Sequence, residues 1–232
     1  MTTLTVEQHA ASLVPPQPAA SLQEAALRRR LLAVLQAPAQ PDRMTYEEFL
    51  AWADEDALAE WVDGEIVMTS PASRPHQDIS GFLNSVLRAL VEHHALGVVL
   101  PAPFQMKLAR SSREPDLLFV AAEHQDRLRS SYLDGPADMV VEIVSPESVG
   151  RDRGEKFTEY EAGGVPEYWL LDPQRQWAEF YRLEGERYRL AFAGAEGEYR
   201  STVLPGFGLR VEWLWQQPLP PVLDVLRELG LI

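Results

Sequence analysis

The pattern of apolar and polar positions predicts two buried strands and one long helix in the middle of the chain. Residues 114–120 and 139–144 are almost continuously apolar. Short runs of this kind are typical of strands that are covered on both faces. Between residues 79 and 91, apolar side chains recur at helical spacing, and Gly97 follows. That spacing predicts an amphipathic helix.

The flanking sequence predicts further elements on both sides of this centre. Thr45 and Glu48 form a capping-box pattern for a short helix, and Asp63-Gly64 predicts the tight turn of a hairpin. Asp152 is predicted as the N-cap of a later helix that ends at residues 163–164. A strand interrupted near its two prolines is predicted at 98–108 and a further strand at 167–171. The segments at 177–181, 188–192 and 199–203 are predicted to continue as a meander, and a terminal helix is predicted at 223–229. We therefore expect an α/β (α+β) fold, a mixed β-sheet flanked by helices, with an added N-terminal hairpin and C-terminal strands.

Proline-rich segments divide the chain into a predicted extension and a predicted domain. Prolines at 15–18 and 38–41 bracket a helical pattern between residues 21 and 36. We expect residues 1–41 to be an N-terminal extension with a docking helix, residues 42–215 to be the main domain, and residues 216–232 to be a C-terminal helical tail. Trp213 and Trp215 share one face of a predicted strand and are candidates for a homodimer contact.

Composition narrows the chemistry that the chain can support. It has 232 residues, is 46% hydrophobic and contains no cysteine, which excludes disulfides and thiolate zinc sites. It shows neither a basic leader nor an apolar stretch of membrane-spanning length, so we expect a cytoplasmic protein with no membrane partner. The net charge of −14 argues against general affinity for nucleic acid. A divalent cation at an acidic site would nevertheless reverse the local field.

Asp116 and Glu142 are the anomaly in this pattern, because each lies within one of the two apolar runs. Burying an unpaired carboxylate costs several kcal/mol, so both acids require a cation. The candidates are Lys156 and a metal ion. If the two strands are neighbours, opposite Cβ atoms lie about 5 Å apart. That spacing suits two carboxylates that share one Mg²⁺ or Mn²⁺ ion.

Helical spacing adds candidates around Lys156. Asp152, Lys156 and Tyr160 are four residues apart in succession, so they share one helix face. A surface ion pair of Lys156 with Asp152 or Glu159 is the simpler alternative. Two more residues have two open interpretations each. Glu60 is either a third acid at the metal edge or a partner of an arginine, and His76 is either a pocket residue or a local hydrogen-bonding residue.

The motifs in this order resemble the Uma-two family of restriction endonucleases, within the PD-(D/E)XK nuclease superfamily. The resemblance covers about residues 42–215. It rests on the following segments: Glu60-Trp61-Val62-Asp63-Gly64-Glu65, Ser70-Pro71 with His76-Gln77, Glu114-Pro115-Asp116, Val141-Glu142-Ile143-Val144-Ser145-Pro146, Asp152 with Lys156 and Tyr160, residues 164–172, and Pro205-Gly206.

The resemblance implies a restriction-endonuclease-like fold and a Mg²⁺-dependent site. Asp116 and Glu142 would be metal ligands, together with the backbone carbonyl of Ile143. The superfamily's lysine normally stands two residues after the second acid, where this chain has Val144. The resemblance places Lys156 in that role instead. His76 matches the histidine of the family, and the fold is often dimeric.

Three functions remain open at this point. The first is a Mg²⁺-dependent (or Mn²⁺-dependent) endonuclease that acts on DNA through Asp116, Glu142 and Lys156. The second is a catalytically inactive binding or regulatory module with the same fold, favoured by the acidic charge and the displaced lysine. The third is a metal-dependent hydrolase of a small phosphate substrate.

Overall fold

The computed structural model describes residues 43–53, 59–68, 72–145 and 148–232. The predicted docking helix of the N-terminal extension lies outside these residues. The described part begins with helix α1 (Tyr46–Trp52) and the hairpin of β1 (Ala59–Val62) and β2 (Glu65–Met68). Thr45 and Glu48 cap α1 reciprocally, which confirms the predicted capping box. The long helix α2 (Arg74–His93) follows, and Ser73 accepts a hydrogen bond from the backbone of His76 at its start.

A six-stranded mixed sheet forms the centre of the fold. Its order is β11-β10-β9-β8-β6-β3, and only the β8–β9 pair is parallel. The strands are β3 (Gly97–Pro101), β6 (Leu117–Ala121), β8 (Met139–Ile143), β9 (Glu167–Asp172), β10 (Trp177–Glu184) and β11 (Arg187–Gly194). The mixed sheet flanked by helices confirms the predicted fold class. The two apolar runs of the sequence are the neighbouring strands β6 and β8.

One face of this sheet carries an apolar layer. The stripe of α2 predicted from the sequence, including Leu83, Val86 and Leu87, packs there against β6, β8 and β9. The C-terminal helix α4 (Val222–Glu228) contributes Val225 and Leu226 to the same core. This face is therefore held together by burial of apolar surface.

The opposite face mixes apolar and charged side chains. Helix α3 (Lys156–Gly163) covers it, preceded by a π-helical turn at Arg151–Glu155. A smaller sheet of order β2-β1-β5-β4-β7 adds β4 (Gln105–Lys107), β5 (Ser111–Arg113) and β7 (Tyr132–Asp134). No helix in the described ranges is long and apolar enough to cross a membrane.

The sequence prediction for the start of the helical segment before α3 is wrong. Asp152 is not an N-cap but lies within the helical turn. The cap is formed earlier: Ser145 and Ser148 each donate a backbone N–H to the hydroxyl of the other, at 2.9 and 3.2 Å. A serine pair satisfies the same two donors as a capping box with glutamate, so the start of the helix was misplaced.

The C-terminal strands also differ from the prediction. The segment at 199–203 does not extend the meander. Instead β12 (Glu198–Arg200) pairs with β13 (Gly208–Arg210) in a separate two-stranded sheet. Trp213 and Trp215 lie on a 3₁₀ helix (Val211–Trp215), not on a strand, and Trp213 is buried in the core. The strand face on which the predicted dimer contact depended is therefore absent.

Candidate functional site

The site lies at the edge of the large sheet where β6 begins and β8 ends. Asp116 immediately precedes β6, and Glu142 is the penultimate residue of β8. The antiparallel register pairs Leu117 with Val141. Continuing that register by one residue places Asp116 opposite Glu142, as the sequence predicted.

Asp116 is held from two sides by neighbouring elements. Its Oδ1 lies 3.0 Å from His76 Nε2, at the start of α2. Its Oδ2 accepts the backbone N–H of Ile143 at 2.6 Å, which fixes the carboxylate against the end of β8. The Asp116 side chain is 17% exposed, more than the side chains of Glu142, Glu60 and Asp152. His76 is thus a partner of the site rather than only a local helix residue.

Glu142 is buried and faces helix α3. Lys156 donates to its Oε2 at 2.9 Å, and the Tyr160 hydroxyl donates to its Oε1 at 2.6 Å. The spacing of four residues places Lys156 and Tyr160 on one side of the helix, as predicted. The simple surface ion pair is wrong for Lys156, because its side chain is only 9% exposed.

Two more acids surround the same ammonium group. Glu60 Oε1 on β1 and Asp152 Oδ1 each lie 3.5 Å from Lys156 Nζ. Asp152 Oδ2 accepts the Ser148 hydroxyl at 2.5 Å, whereas its Oδ1 makes no hydrogen bond within the described part of the chain. Lys156 therefore faces three buried carboxylates.

Burial and the contacts between Lys156 and its neighbouring carboxyl groups shift the pKa values of Glu142, Asp152 and Lys156. Burial raises the pKa of Glu142, and Asp152 and Asp116 raise it further against the attraction of Lys156. Burial also raises the pKa of Asp152. For Lys156, burial alone would lower the pKa, but Glu142, Glu60 and Asp152 outweigh it and hold the pKa above its usual range. Lys156 is thus shared by three carboxyl groups, of which Glu60 is also paired with Arg113.

Arg113, on β5, is part of this network and was missed by the sequence analysis. It pairs with Glu60 at 3.0 Å and with Glu159 at 2.6 Å, and its side chain is fully buried. Glu60 is therefore the partner of an arginine, as one of its two sequence interpretations predicted, and it also contacts Lys156. Its role as a third acid at a metal edge stays a prediction. The signal in the sequence was the position of Arg113 three residues before Asp116. That signal is weak in a chain with nineteen arginines.

Glu114 is a second residue that the sequence analysis did not single out. Burial raises its pKa to about 7, and it accepts a hydrogen bond from Gln105 Nε2 at 3.3 Å. Its backbone N–H donates to Glu60 Oε1 at 3.1 Å. Glu114 thereby connects the small sheet to the acid cluster.

The residues fit a hard divalent cation by donor chemistry, because carboxylate oxygens are the ligands that Mg²⁺ and Mn²⁺ prefer. Asp152 Oδ1 makes no hydrogen bond in the described residues, but it faces Lys156 Nζ at 3.5 Å. In the described residues, however, no three acid or histidine side chains form a ready metal cluster. Both Glu142 oxygens are engaged by Lys156 and Tyr160. Metal ligation by Asp116, Glu142 and the Ile143 carbonyl therefore stays a prediction.

Comparison with known proteins identifies a family and a fold. The sequence model of the Uma2 family, described as "Putative restriction endonuclease", matches residues 46–212. A crystal structure described as "a putative nuclease belonging to DUF820", from Anabaena variabilis ATCC 29413, superimposes with a TM-score of 0.65 at 18% sequence identity. The match covers 74% of this chain and 97% of that one. No protein of curated function matches the chain.

Proposed function

The chain belongs to the Uma2 family, and we propose that it is an endonuclease that hydrolyses phosphodiester bonds in DNA with Mg²⁺ or Mn²⁺. Family membership and fold support a nuclease function. In this proposal Asp116 and Glu142 hold the metal, with the carbonyl of Ile143 as a further ligand. Lys156 supplies a fixed positive charge.

The observation that carries the proposal is the placement of Lys156 against Glu142. Their 2.9 Å contact lies beside the strand end that faces Asp116. The PD-(D/E)XK pattern requires two acids and an ammonium group at one place, and a lysine on the following helix meets that need. The position of the charge in space matters to the chemistry, whereas its position in the sequence does not.

Each residue has a distinct task in the proposed reaction. A bound Mg²⁺ ion supplies Lewis-acid polarisation of a phosphoryl oxygen and a water of lowered pKa. His76 and the Ile143 N–H hold the Asp116 carboxylate in a fixed orientation. The Lys156 ammonium stabilises the negative charge that develops on the phosphate. Tyr160 holds the second oxygen of Glu142.

The openness of Asp116 relative to Glu142 indicates the direction of substrate approach. The side chain of Asp116 is 17% exposed and that of Glu142 is 4% exposed. A phosphate would therefore reach the site from the side of Asp116. The net charge of −14 makes this approach unfavourable unless a divalent cation offsets it locally.

Plasmid nicking tests the proposal. Supercoiled DNA is incubated with wild-type protein and with Asp116→Asn, each in Mg²⁺, Mn²⁺ or EDTA. We expect wild type to nick the plasmid with either metal, EDTA to abolish nicking, and Asp116→Asn to lower the rate at least about a hundredfold. Equal rates for the two proteins, or no wild-type cleavage at high enzyme concentration, would reject the proposal.

A catalytically inactive binding module is the second candidate, and one observation favours it. Both Glu142 oxygens already have protein partners, so the acid cluster is satisfied in part without a metal. A module of this kind needs no metal at Asp116 and Glu142. Metal binding that is lost in Asp116→Asn would therefore exclude it. A panel of nucleotide and small phosphate-ester substrates distinguishes the endonuclease from a small-molecule phosphate hydrolase.

A further inference from the structure

Arg113 is fully buried, and its guanidinium pairs with two structural elements next to Lys156. One is β1, whose Glu60 contacts Lys156, and the other is helix α3, which carries Lys156. It lies on β5, and its side chain has no exposed surface. A buried guanidinium is costly unless each of its faces is paired. Here the pairing is extensive, because carboxylates from β1, from helix α3 and, at 3.5 Å, from Glu155 in the turn before that helix surround it.

The first element is β1, through Glu60. Arg113 Nη1 donates to Glu60 Oε2 at 3.0 Å. The other oxygen, Oε1, accepts the Glu114 N–H at 3.1 Å and faces Lys156 Nζ at 3.5 Å. Burial would raise the pKa of Glu60, but Lys156 and Arg113 outweigh it and lower the pKa. Glu60 is thus an ionised carboxylate that lies between two cations.

The second element is α3, through Glu159. Arg113 donates from Nε to Glu159 Oε2 at 2.8 Å and from Nη2 to Oε1 at 2.6 Å. This bidentate pairing fixes both the distance and the orientation of the two groups. Glu159 lies three residues after Lys156, less than one helical turn away. The same guanidinium therefore holds the helix segment from which Lys156 projects.

We propose that Arg113 is a positioning residue for Lys156: it fixes the helix that carries the ammonium and the Glu60 carboxylate that faces it. Only the catalytic consequence rests on the proposed function. The planar fork of arginine suits this pairing, since three separate nitrogens reach both oxygens of Glu159 and one oxygen of Glu60.

The lysine content of the chain allows a direct measurement of this effect. Lys107 and Lys156 are the only lysines in the sequence. A protein labelled with ¹⁵N-lysine therefore gives two ammonium resonances, and Lys156→Met assigns them. The exchange rate of the ammonium protons with water reports how firmly the group is held. This readout requires neither DNA nor metal.

The informative variants are Glu159→Gln and Arg113→Gln. The first removes the bidentate charge pairing but leaves Arg113 its bond to Glu60. The matched control is Arg110→Gln, because Arg110 makes two 2.8 Å bonds to Asp63 but its side chain is 80% exposed. The control changes the net charge as Arg113→Gln does, and Arg110 makes no ion pair with Glu60 or Glu159 in the described residues, although its charge is felt by Glu159. Near-ultraviolet circular dichroism confirms that each variant is folded.

We expect the Lys156 ammonium protons to exchange at least about tenfold faster in Glu159→Gln, and faster again in Arg113→Gln. The control should match wild type within about twofold, since its ion pair is exposed. If Arg113→Gln does not fold, the Glu159→Gln result decides. Exchange in folded Glu159→Gln equal to that of the control would overturn the inference.

The catalytic consequence is read separately. With a cleavable plasmid, both variants should lower kcat by at least about tenfold while KM for DNA stays within about twofold. Unchanged kcat with faster ammonium exchange would overturn the catalytic part of the inference. If wild-type protein cleaves no DNA, the proposed function fails, and the exchange measurement still decides whether Arg113 positions Lys156.

Discussion

Two buried glutamates on neighbouring parallel strands have different partners. Glu142 on β8 is 3% exposed and Glu167 on β9 is fully buried. Glu142 binds the Lys156 ammonium and the Tyr160 hydroxyl. Glu167 accepts hydrogen bonds from the hydroxyls of Tyr199 and Ser201 instead. The two acids lie in apolar runs of similar composition, so their sequences alone do not separate them.

The difference shows that a buried acid is not by itself a sign of function. Glu167 pairs with Met139 in the register, whereas Glu142 pairs with Leu170. The two acids are therefore three residues apart along the ladder, or about 10 Å. Glu142 lies near the end of β8, beside Asp116. Glu167 lies at the start of β9, toward the other end of the strand pair, where it bonds to Tyr199 of β12 and to Ser201. Under the proposed function, the first acid would take part in the chemistry and the second would be structural.

The largest expected effect is the difference in DNA cleavage rate between variants of the two glutamates. Glu142→Gln should lower the DNA cleavage rate by about a thousandfold, because it removes a proposed metal ligand. Glu167→Gln should stay within about threefold of wild type, because its partners are hydroxyl groups away from the site. Single-turnover cleavage measures both. Equal losses in the two folded variants would remove the distinction.

The second effect concerns stability at the Glu142 end. Lys156→Met leaves Glu142, Glu60 and Asp152 without their shared ammonium, and we expect a loss of about 3 kcal/mol in the free energy of unfolding. Adding Glu142→Gln to that variant should restore part of the loss, since one unpaired carboxylate is removed. Urea denaturation of the two single variants and the double variant measures the coupling. If the stability losses of the two single variants simply add in the double variant, the account of a shared charge cluster is contradicted.

At the Glu167 end, the expected effect is smaller. Tyr199→Phe removes one hydroxyl donor from a buried carboxylate and should cost about 2 kcal/mol, with cleavage unchanged. Tyr160→Phe is the matched change at Glu142, and it should lower the cleavage rate as well as stability. Urea denaturation and cleavage are measured on the same preparations. A Tyr199→Phe variant of lowered activity but normal stability would reverse the assignment.

The smallest effect concerns pH. Burial raises the pKa of Glu114 to about 7 in the folded protein, above its usual value. The folded state then binds a proton more tightly than the unfolded state, so this stabilisation is present at acid pH and is lost as pH rises through about 7. Between pH 5 and 8, the free energy of unfolding of Glu114→Gln should fall by on the order of 1 kcal/mol less than that of wild type. Identical profiles for wild type and variant would contradict the shift.

Much of the fold could be predicted from local patterns. The stripe of α2, the two apolar strands and the hairpin turn at Asp63-Gly64 each follow from a period or a turn residue that acts over a few residues. The start of the α3 segment was misplaced, because Asp152 was interpreted as the N-cap, whereas Ser145 and Ser148 hydrogen-bond reciprocally before it. The C-terminal β12–β13 pair was not predicted, although its paired residues are only 8 to 12 positions apart, because a strand pattern does not specify which strand it pairs with.

The candidate site could be predicted where spacing determined it. Asp116, Glu142, Lys156, Tyr160 and Asp152 were found because strand neighbours and helical periodicity bring them together. Arg113 was not found, since its partners Glu60 and Glu159 are 53 and 46 residues away. Glu167 lies in a similar apolar run, and that run does not predict its hydrogen bonds with the hydroxyls of Tyr199 and Ser201.

Calorimetric titration of the DNA-free protein with Mn²⁺ tests the central claim most directly. Wild type, Glu142→Gln and Glu167→Gln are titrated under the same conditions. We expect wild type and Glu167→Gln to bind Mn²⁺ with the same stoichiometry and affinity within about twofold, and Glu142→Gln to lose at least about tenfold in affinity. Binding by folded Glu142→Gln that equals wild type would contradict the assignment of this acid to the metal.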